Sequence, residues 1–295
     1  MSDKTSLGDR MKKSYENRTK QFLPRRTNTI VRLDGKAFHS YCKGLNKPFD
    51  EGLIEDMQQT TVYLCKNIQG CKAGYTQSDE ITLLLTDYDK LKTEAFFNGN
   101  IQKITSVIAS MATARFNELR LERKLKSRLI NTEGVKKVIY KNDLDNQKLA
   151  MFDARVFTIP EPEEVVNCFL WRQRDAERNS IQMLAQSLYS HKKLQGKNTS
   201  QLQDMCWKKG YNWNELHWSK KRGSLILKVS NMININVDEL PDVSFEGQFK
   251  RDMNIGIMPI DNEVKAVRTS WQVVETPIFS KNREIILNLM DNNTN

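Results

Sequence analysis

From residue 29 to residue 159 the apolar positions switch between two kinds of spacing, in an order that few folds accommodate. Thr29-Ile30-Val31-Arg32-Leu33 is a β-branched run halted by Asp34-Gly35, and it reads as a buried strand ending in a turn. Asp50 has the chemistry of a helix N-cap, and Leu53, Ile54, Met57, Leu64, Cys65 and Ile68 follow a helical stripe behind it. The polar, tight segment 74–80 leading into the apolar run 81–85 predicts a hairpin. Ile104, Val107, Ile108, Met111 and Phe116 predict a helix over 101–119, and FDARVFTI at 152–159, closed by Pro160, predicts another strand. The resulting order, β-α-β-β-α-β, is that of a split βαβ, ferredoxin-like α+β sheet. In such a sheet the first and third strands lie side by side at the centre.

Beyond residue 160 the pattern is mainly helical. Segments 163–171 and 180–194 read as helices, the second ended by Gly196. Ser200 with Gln203 fits a capping box for a helix stopping near Gly210, and 223–237 is strand-like. No long Pro/Gly/Ser linker divides the chain, which predicts one compact body with two lobes. No apolar run approaches the roughly 20 residues needed to cross a bilayer. The first 20 residues lack an apolar signal core and carry Asp3, Asp9 and Glu16, so no targeting segment is expected. The cysteines (42, 65, 71, 168 and 206) contain no CxxC pair and there are only three histidines, which argues for a reduced, cytoplasmic protein without a zinc site.

The net charge of +10 is unevenly spread. Segment 115–141 holds nine basic residues against three acids, and segment 190–222 holds eight against two, so everything else is slightly acidic. Clustered positive charge of this kind attracts polyphosphate and predicts a nucleic-acid partner. The acids are placed as informatively as the bases. Asp34 ends the first strand, and Asp79-Glu80 sit at the hairpin, so the predicted sheet brings the two places face to face. Acids so placed can bridge a pair of Mg²⁺ ions, which in two-metal sites stand roughly 3.5–4 Å apart. Gly35 would let the backbone approach a metal or phosphate closely.

Four blocks in order carry a family resemblance: Arg32-Leu33-Asp34-Gly35-Lys36-Ala37-Phe38-His39, Gly74-Tyr75-Thr76-Gln77-Ser78-Asp79-Glu80, Phe152-Asp153-Ala154-Arg155 and Trp171-Arg172-Gln173-Arg174-Asp175. Together they resemble the tRNA-His guanylyltransferase superfamily, and its template-dependent Thg1-like branch in particular. The resemblance runs from about residue 10 to about residue 230. It implies a polymerase-palm-like core over residues 1–160, and a C-terminal helical, fingers-like lobe with closing strands over 161–295. It also implies a nucleotidyltransferase that extends tRNA 5′ ends in the 3′-to-5′ direction. In that reaction the 5′ end is activated with ATP, the 3′-hydroxyl of an incoming NTP attacks it, and pyrophosphate leaves. By position, Asp34 and Asp79 become the carboxylates for two Mg²⁺ ions, Gly35 adds its backbone carbonyl, and Glu80 becomes an accessory acid. Lys36, Ala37, Phe38, His39, Lys47, Ser78, Lys103 and Asn198 become nucleotide-binding, with Lys47, Ser78 and Asn198 tied to activation. Lys192, Lys193, Lys197, Lys220, Lys221 and Arg222 become RNA-binding. ATP, GTP and other NTPs are the implied substrates, and a homotetramer the implied assembly.

One departure bears on the substrate. Where eukaryotic guanylyltransferases carry His-Ile-Asn-Asn-Leu, linked to reading the histidine anticodon, this chain has Glu177-Arg178-Asn179-Ser180-Ile181. A carboxylate there repels nucleic acid. That favours repair or editing of truncated tRNAs over addition of one G to tRNA-His, the competing activity; a non-catalytic tRNA-binding protein is the reading from another class. Asp153 with Arg155 reads as a structural ion pair, and Trp207, Trp213 and Trp218 read as core packing.

Overall fold

The computed structural model describes residues 6–130, 148–234, 256–260 and 263–291. Its elements in chain order are α1 (Leu7–Ser14), β1 (Asn28–Gly35), α2 (Phe38–Tyr41), α3 (Glu51–Asn67), β2 (Cys71–Gln77), β3 (Glu80–Leu85), α4 (Ile101–Ile130), β4 (Phe152–Ile159), α5 (Pro162–Leu188), α6 (His191–Leu194), α7 (Thr199–Trp207), α8 (Trp218–Arg222), β5 (Ser224–Asn234), β6 (Gly256–Ile260), β7 (Glu263–Val274) and α9 (Glu284–Leu287). The strands form one seven-stranded sheet in the order β4-β1-β3-β2-β5-β7-β6, every neighbour antiparallel. Its first four strands have the split βαβ order expected from the sequence, with β1 and β3 paired at the centre.

Strand alternation distributes the side chains to two faces. Val31, Leu33, Ile81, Leu83, Phe152 and Ile226 point to one face and pack with Met57, Leu64, Ile108 and Phe116 of α3 and α4. Ile30, Ala73, Tyr75, Leu84 and Leu225 point to the other, against Val165, Val166 and Phe169 of α5, with Phe279 and Ile286 completing that core. A smaller cluster, Ile181, Leu184 and Ala185 of α5 with Leu202 and Cys206 of α7, lies outside the sheet. No helix among the described residues is long and apolar enough to cross a membrane.

Asp50 caps α3 as its chemistry predicts, accepting from the Leu53 amide at 2.8 Å. Two expectations change. The segments 163–171 and 180–194 belong to one helix through residue 188, because the polar stretch between them finds partners on other elements: Arg172 pairs with Glu80 as well as Asp175, and Gln173 donates to the Pro277 carbonyl (2.7 Å) and accepts from the Phe279 amide (3.0 Å). The capping box is Asn198 with Gln201 rather than Ser200 with Gln203. Asn198 Oδ1 accepts from the Gln201 amide at 2.9 Å while Gln201 Oε1 accepts from the Asn198 amide at 3.1 Å.

The basic segment 115–141 also resolves differently where it is described. Asp56 of α3, 1% exposed, takes Arg120 at 2.9 Å and Arg123 at 2.7 Å, and Arg115 pairs with Glu118 at 2.6 Å. Arg120 and Arg123 bind α4 to α3, while Arg115 pairs within α4, so these three arginines neutralise protein carboxylates. Lys136, Lys137 and Lys141 lie outside the described residues.

Candidate active site

The register of β1 puts like charges in rows. Asp34 stands opposite Glu80 on β3 and Asp153 on β4, so three acids cross three strands in line; one row back, Arg32 stands opposite Arg155 and Thr82. Like charges directly opposite each other destabilise a sheet, so these rows are a cost the fold carries. Burial first, then Glu80 and Asp153, raise the Asp34 carboxyl, while Arg155 and Arg32 pull it down.

Asp79 reaches the same end of β1 from the β2–β3 turn. Ser78 adopts a left-handed conformation (φ 51°), and its Oγ donates to Asp79 Oδ1 at 3.0 Å. The Gly35 amide donates to the Asp79 carbonyl at 3.1 Å, which ties the hairpin tip to the end of β1. Burial, with Asp34 and Glu80 adding to it, pushes the Asp79 carboxyl up to about 6, against the Ser78 hydroxyl and its own backbone amide. Glu80 is held differently. Gln77 Nε2 donates to it at 3.0 Å, and Arg172, 4% exposed, pairs with it from α5.

Gly35 is required by packing as well as by any ligand. A Cβ there would come within 2.8 Å of Phe38 Cγ. Phe38 cannot move aside, because its ring sits 4.9, 5.7 and 5.3 Å from those of Tyr41, Phe116 and Phe152. Gly35→Ala is therefore expected to cost about 1–3 kcal/mol by overpacking, read as a fall in the urea midpoint at unchanged slope.

The donor set fits magnesium. Asp34 and Asp79 form no ion pair among the described residues, and burial raises both carboxyls, so a cation bound beside them would favour their ionised forms. Mg²⁺ is held by one or two carboxylates plus waters and substrate phosphates, not by a dedicated cage. No group of three or more metal-ligating side chains occurs among the described residues.

Comparison with known proteins agrees with this geometry. The family model described as "Thg1: tRNAHis guanylyltransferase" matches residues 8–160, which hold both carboxylates and the whole split βαβ unit. The chain belongs to the tRNAHis guanylyltransferase family. An uncharacterized protein of Acanthamoeba polyphaga mimivirus is 32% identical over 66% of this chain and 68% of its own. The tRNA(His) guanylyltransferase of Candida glabrata is 26% identical over 74% and 90%. Among solved structures, a bacterial tRNA(His) guanylyltransferase (Thg1)-like protein in complex with ATP superposes with TM-score 0.72 at 39% identity, covering 97% of this chain and 99% of that one.

Set in a tRNAHis guanylyltransferase fold, the remaining expected residues fall in three places. Lys36 and His39 are exposed beside the carboxylates, and Ala37 (φ 55°) opens α2, but Phe38 is 5% exposed in the core, so its ring faces protein. Lys47 is exposed before α3. Ser78 lines an open cleft together with Asp50, Leu53, Asn179, Lys220 and Lys221. Lys103 sits elsewhere. It lies in the first turn of α4, its Nζ 5.8 Å from the Phe97 ring, while its neighbour Ile104 packs near Thr29. Thr29 is five residues before Asp34 along β1, about 17 Å away. Asn198, Lys192, Lys193 and Lys197 surround the α5–α7 cluster, with Asn198 engaged as a helix cap.

The basic tripeptide of α8 is tied down within the chain. Lys220 pairs with Glu51 at 2.7 Å, Lys221 donates to the Asn214 carbonyl at 2.6 Å, and Arg222 donates to the Thr276 carbonyl at 2.8 Å. Glu177 lies half-buried among Arg222, Arg174 and Lys221, its carboxyl raised by burial. Trp213 donates to Ser180 Oγ at 2.6 Å, whereas Trp207 is 64% exposed and packs in no core. The Asp153–Arg155 pair is loose, at 3.6 Å with both side chains over half exposed. Reading by residue type assigned Trp171, Arg172 and Arg32 no site role of their own; the packing of α5 on the sheet sets Trp171 against Arg32 and Arg172 against Glu80, the cross-strand partner of Asp34.

Proposed function

We propose that this chain is a nucleotidyltransferase that extends the 5′ end of truncated tRNA in the 3′-to-5′ direction, guided by the opposite strand, in tRNA repair or editing. The observation that carries the reading is the convergence of Asp34 and Asp79, two carboxylates without an ion pair among the described residues, where the Gly35 amide bonds to the Asp79 carbonyl. Magnesium held by these carboxylates and the Gly35 carbonyl supplies a more acidic attacking hydroxyl and a stabilised leaving pyrophosphate. Ser78, which lines the cleft beside the hairpin, and Lys47, exposed on the loop before α3, orient a nucleoside triphosphate for activation of the 5′ end in this reading. Solved relatives at 39% and 38% identity, in complex with ATP and with GTP, support those triphosphates as substrates. Residues 1–160 form the palm-like catalytic part and residues 161–295 the lobe that receives RNA through Lys192, Lys193, Lys197 and α8. The protein works as a cytoplasmic homotetramer, and Lys103, remote from Asp34 in its own chain, meets triphosphate outside the carboxylate end.

A second reading, addition of a single G to tRNA-His, is favoured by relatives such as the Candida glabrata tRNA(His) guanylyltransferase. Glu177 weighs against it: a carboxylate already facing Arg174, Lys221 and Arg222 presents no donor to an anticodon. An extension assay separates the two, using 5′-monophosphorylated full-length tRNA-His and a tRNA lacking its first nucleotide, with ATP, all four NTPs and Mg²⁺. The expected result is addition to the truncated tRNA of whichever base pairs with the opposite strand, whatever the anticodon. Addition of G to tRNA-His alone establishes the second reading, and no addition to either leaves a tRNA-binding protein.

A further inference from the structure

Helix α5 packs over Ile30 of β1 together with Ala73, Tyr75, Leu84 and Leu225, but further along the same face Arg32 and Asp34 of β1 are only half-buried and Asp153 and Arg155 of β4 stay largely exposed. Trp171 stands beside that stretch, 51% exposed, where a tryptophan that served only to pack would be turned inward. Its ring is held from below. The Arg172 guanidinium lies 3.8 Å from the ring centroid and is itself fixed by Glu80 and Asp175, and Arg32 approaches to 5.5 Å. Arg32 and Arg155 are direct cross-strand partners. Arg32 has no carboxylate partner within ion-pair distance among the described residues, and Arg155 has only the loose contact with Asp153. Two guanidinium groups side by side, one without an ion pair among the described residues and one only loosely paired, next to an exposed indole form the combination that binds single-stranded nucleic acid: cations for phosphate and an aromatic face for a base. The arginine row lies two residues from Asp34 along β1, about 7 Å.

We propose that Trp171 is the stacking platform for the terminal base of the RNA 5′ end, with Arg32 and Arg155 on its phosphates, so that the end is presented to Asp34. This deepens the RNA-end reading above and rests on it. The test uses a 5′-phosphorylated RNA hairpin with 2-aminopurine as its first base, in Ca²⁺ in place of Mg²⁺, so that binding and stacking are read without chemistry. Wild-type protein is expected to quench the fluorophore on binding. Trp171→Phe keeps the quenching, and Trp171→Leu, which keeps apolar bulk without the π-face, loses it and weakens binding about 5- to 100-fold. Arg155→Gln lowers the slope of affinity against salt by about one counterion. Thermal melts of each variant confirm that it is folded. Unchanged quenching and affinity in Trp171→Leu overturn the platform alone. A wild-type protein that binds the hairpin not at all overturns the platform and the RNA-end reading together.

Discussion

Asp79→Asn is expected to reduce nucleotide addition by about 10³-fold or more while leaving the protein folded. The loss follows from removing one of two negative ligands where charge must be offset in the transition state, at roughly 1.4 kcal/mol per tenfold. The change in stability should run the other way. The Asp79 carboxyl is raised to about 6, so at neutral pH its ionised form opposes folding through burial and through repulsion from Asp34 and Glu80. The amide keeps the volume without the charge, so without metal the variant is expected to melt at or above the wild-type temperature, by up to about 1–2 kcal/mol in stability. A single-turnover extension assay and a thermal melt in EDTA check the two halves. Full activity in Asp79→Asn would remove the carboxylate pair from the mechanism.

Asp56→Ala is expected to have the largest effect on stability. Its carboxylate is 2% exposed and bound by two guanidinium groups of α4, and Arg120 is itself only 16% exposed. Taking away the acid leaves that guanidinium buried without a partner, a change that costs about 3–5 kcal/mol, against about 0–1 for an exposed pair such as Lys220–Glu51. Urea unfolding measures the difference directly. Replacing Asp56, Arg120 and Arg123 together by apolar residues of similar size should restore much of the loss, because the penalty lies in the orphaned charge.

The first four strands of the sheet were readable from the sequence because their signals are local, whereas β6 and β7 were not. β-branched runs, one cap and one tight hairpin put four strands and two helices in order, and the order implied which strands meet. The middle of α5 was not readable that way. Arg172 and Gln173 look like a polar break, yet both are buried, since their partners Glu80, Pro277 and Phe279 lie 92, 104 and 106 residues away. The same non-locality hid a second contact: Trp171 and Arg32 meet only once α5 is laid across the sheet. Charge counting could not tell which basic residues of 115–141 face protein. A basic run on a helix does not show whether a carboxylate waits on the next one, and Asp56 did.

The seven-stranded sheet has a consequence for how the protein is made. β2 pairs on its outer side with β5, and the Tyr75 hydroxyl donates to the Arg222 carbonyl, 147 residues later in the chain. At about 5–20 residues per second, a ribosome emits β2 roughly 7–30 seconds before it emits β5. During that interval the nascent chain can assemble β1 to β4 around α3 and α4, but it carries an unsealed strand edge in its middle, the kind of edge that recruits other chains. The late strands therefore act during synthesis as a closing seam, and a ribosome stalled between residues 160 and 224 would leave the nascent chain with that edge open.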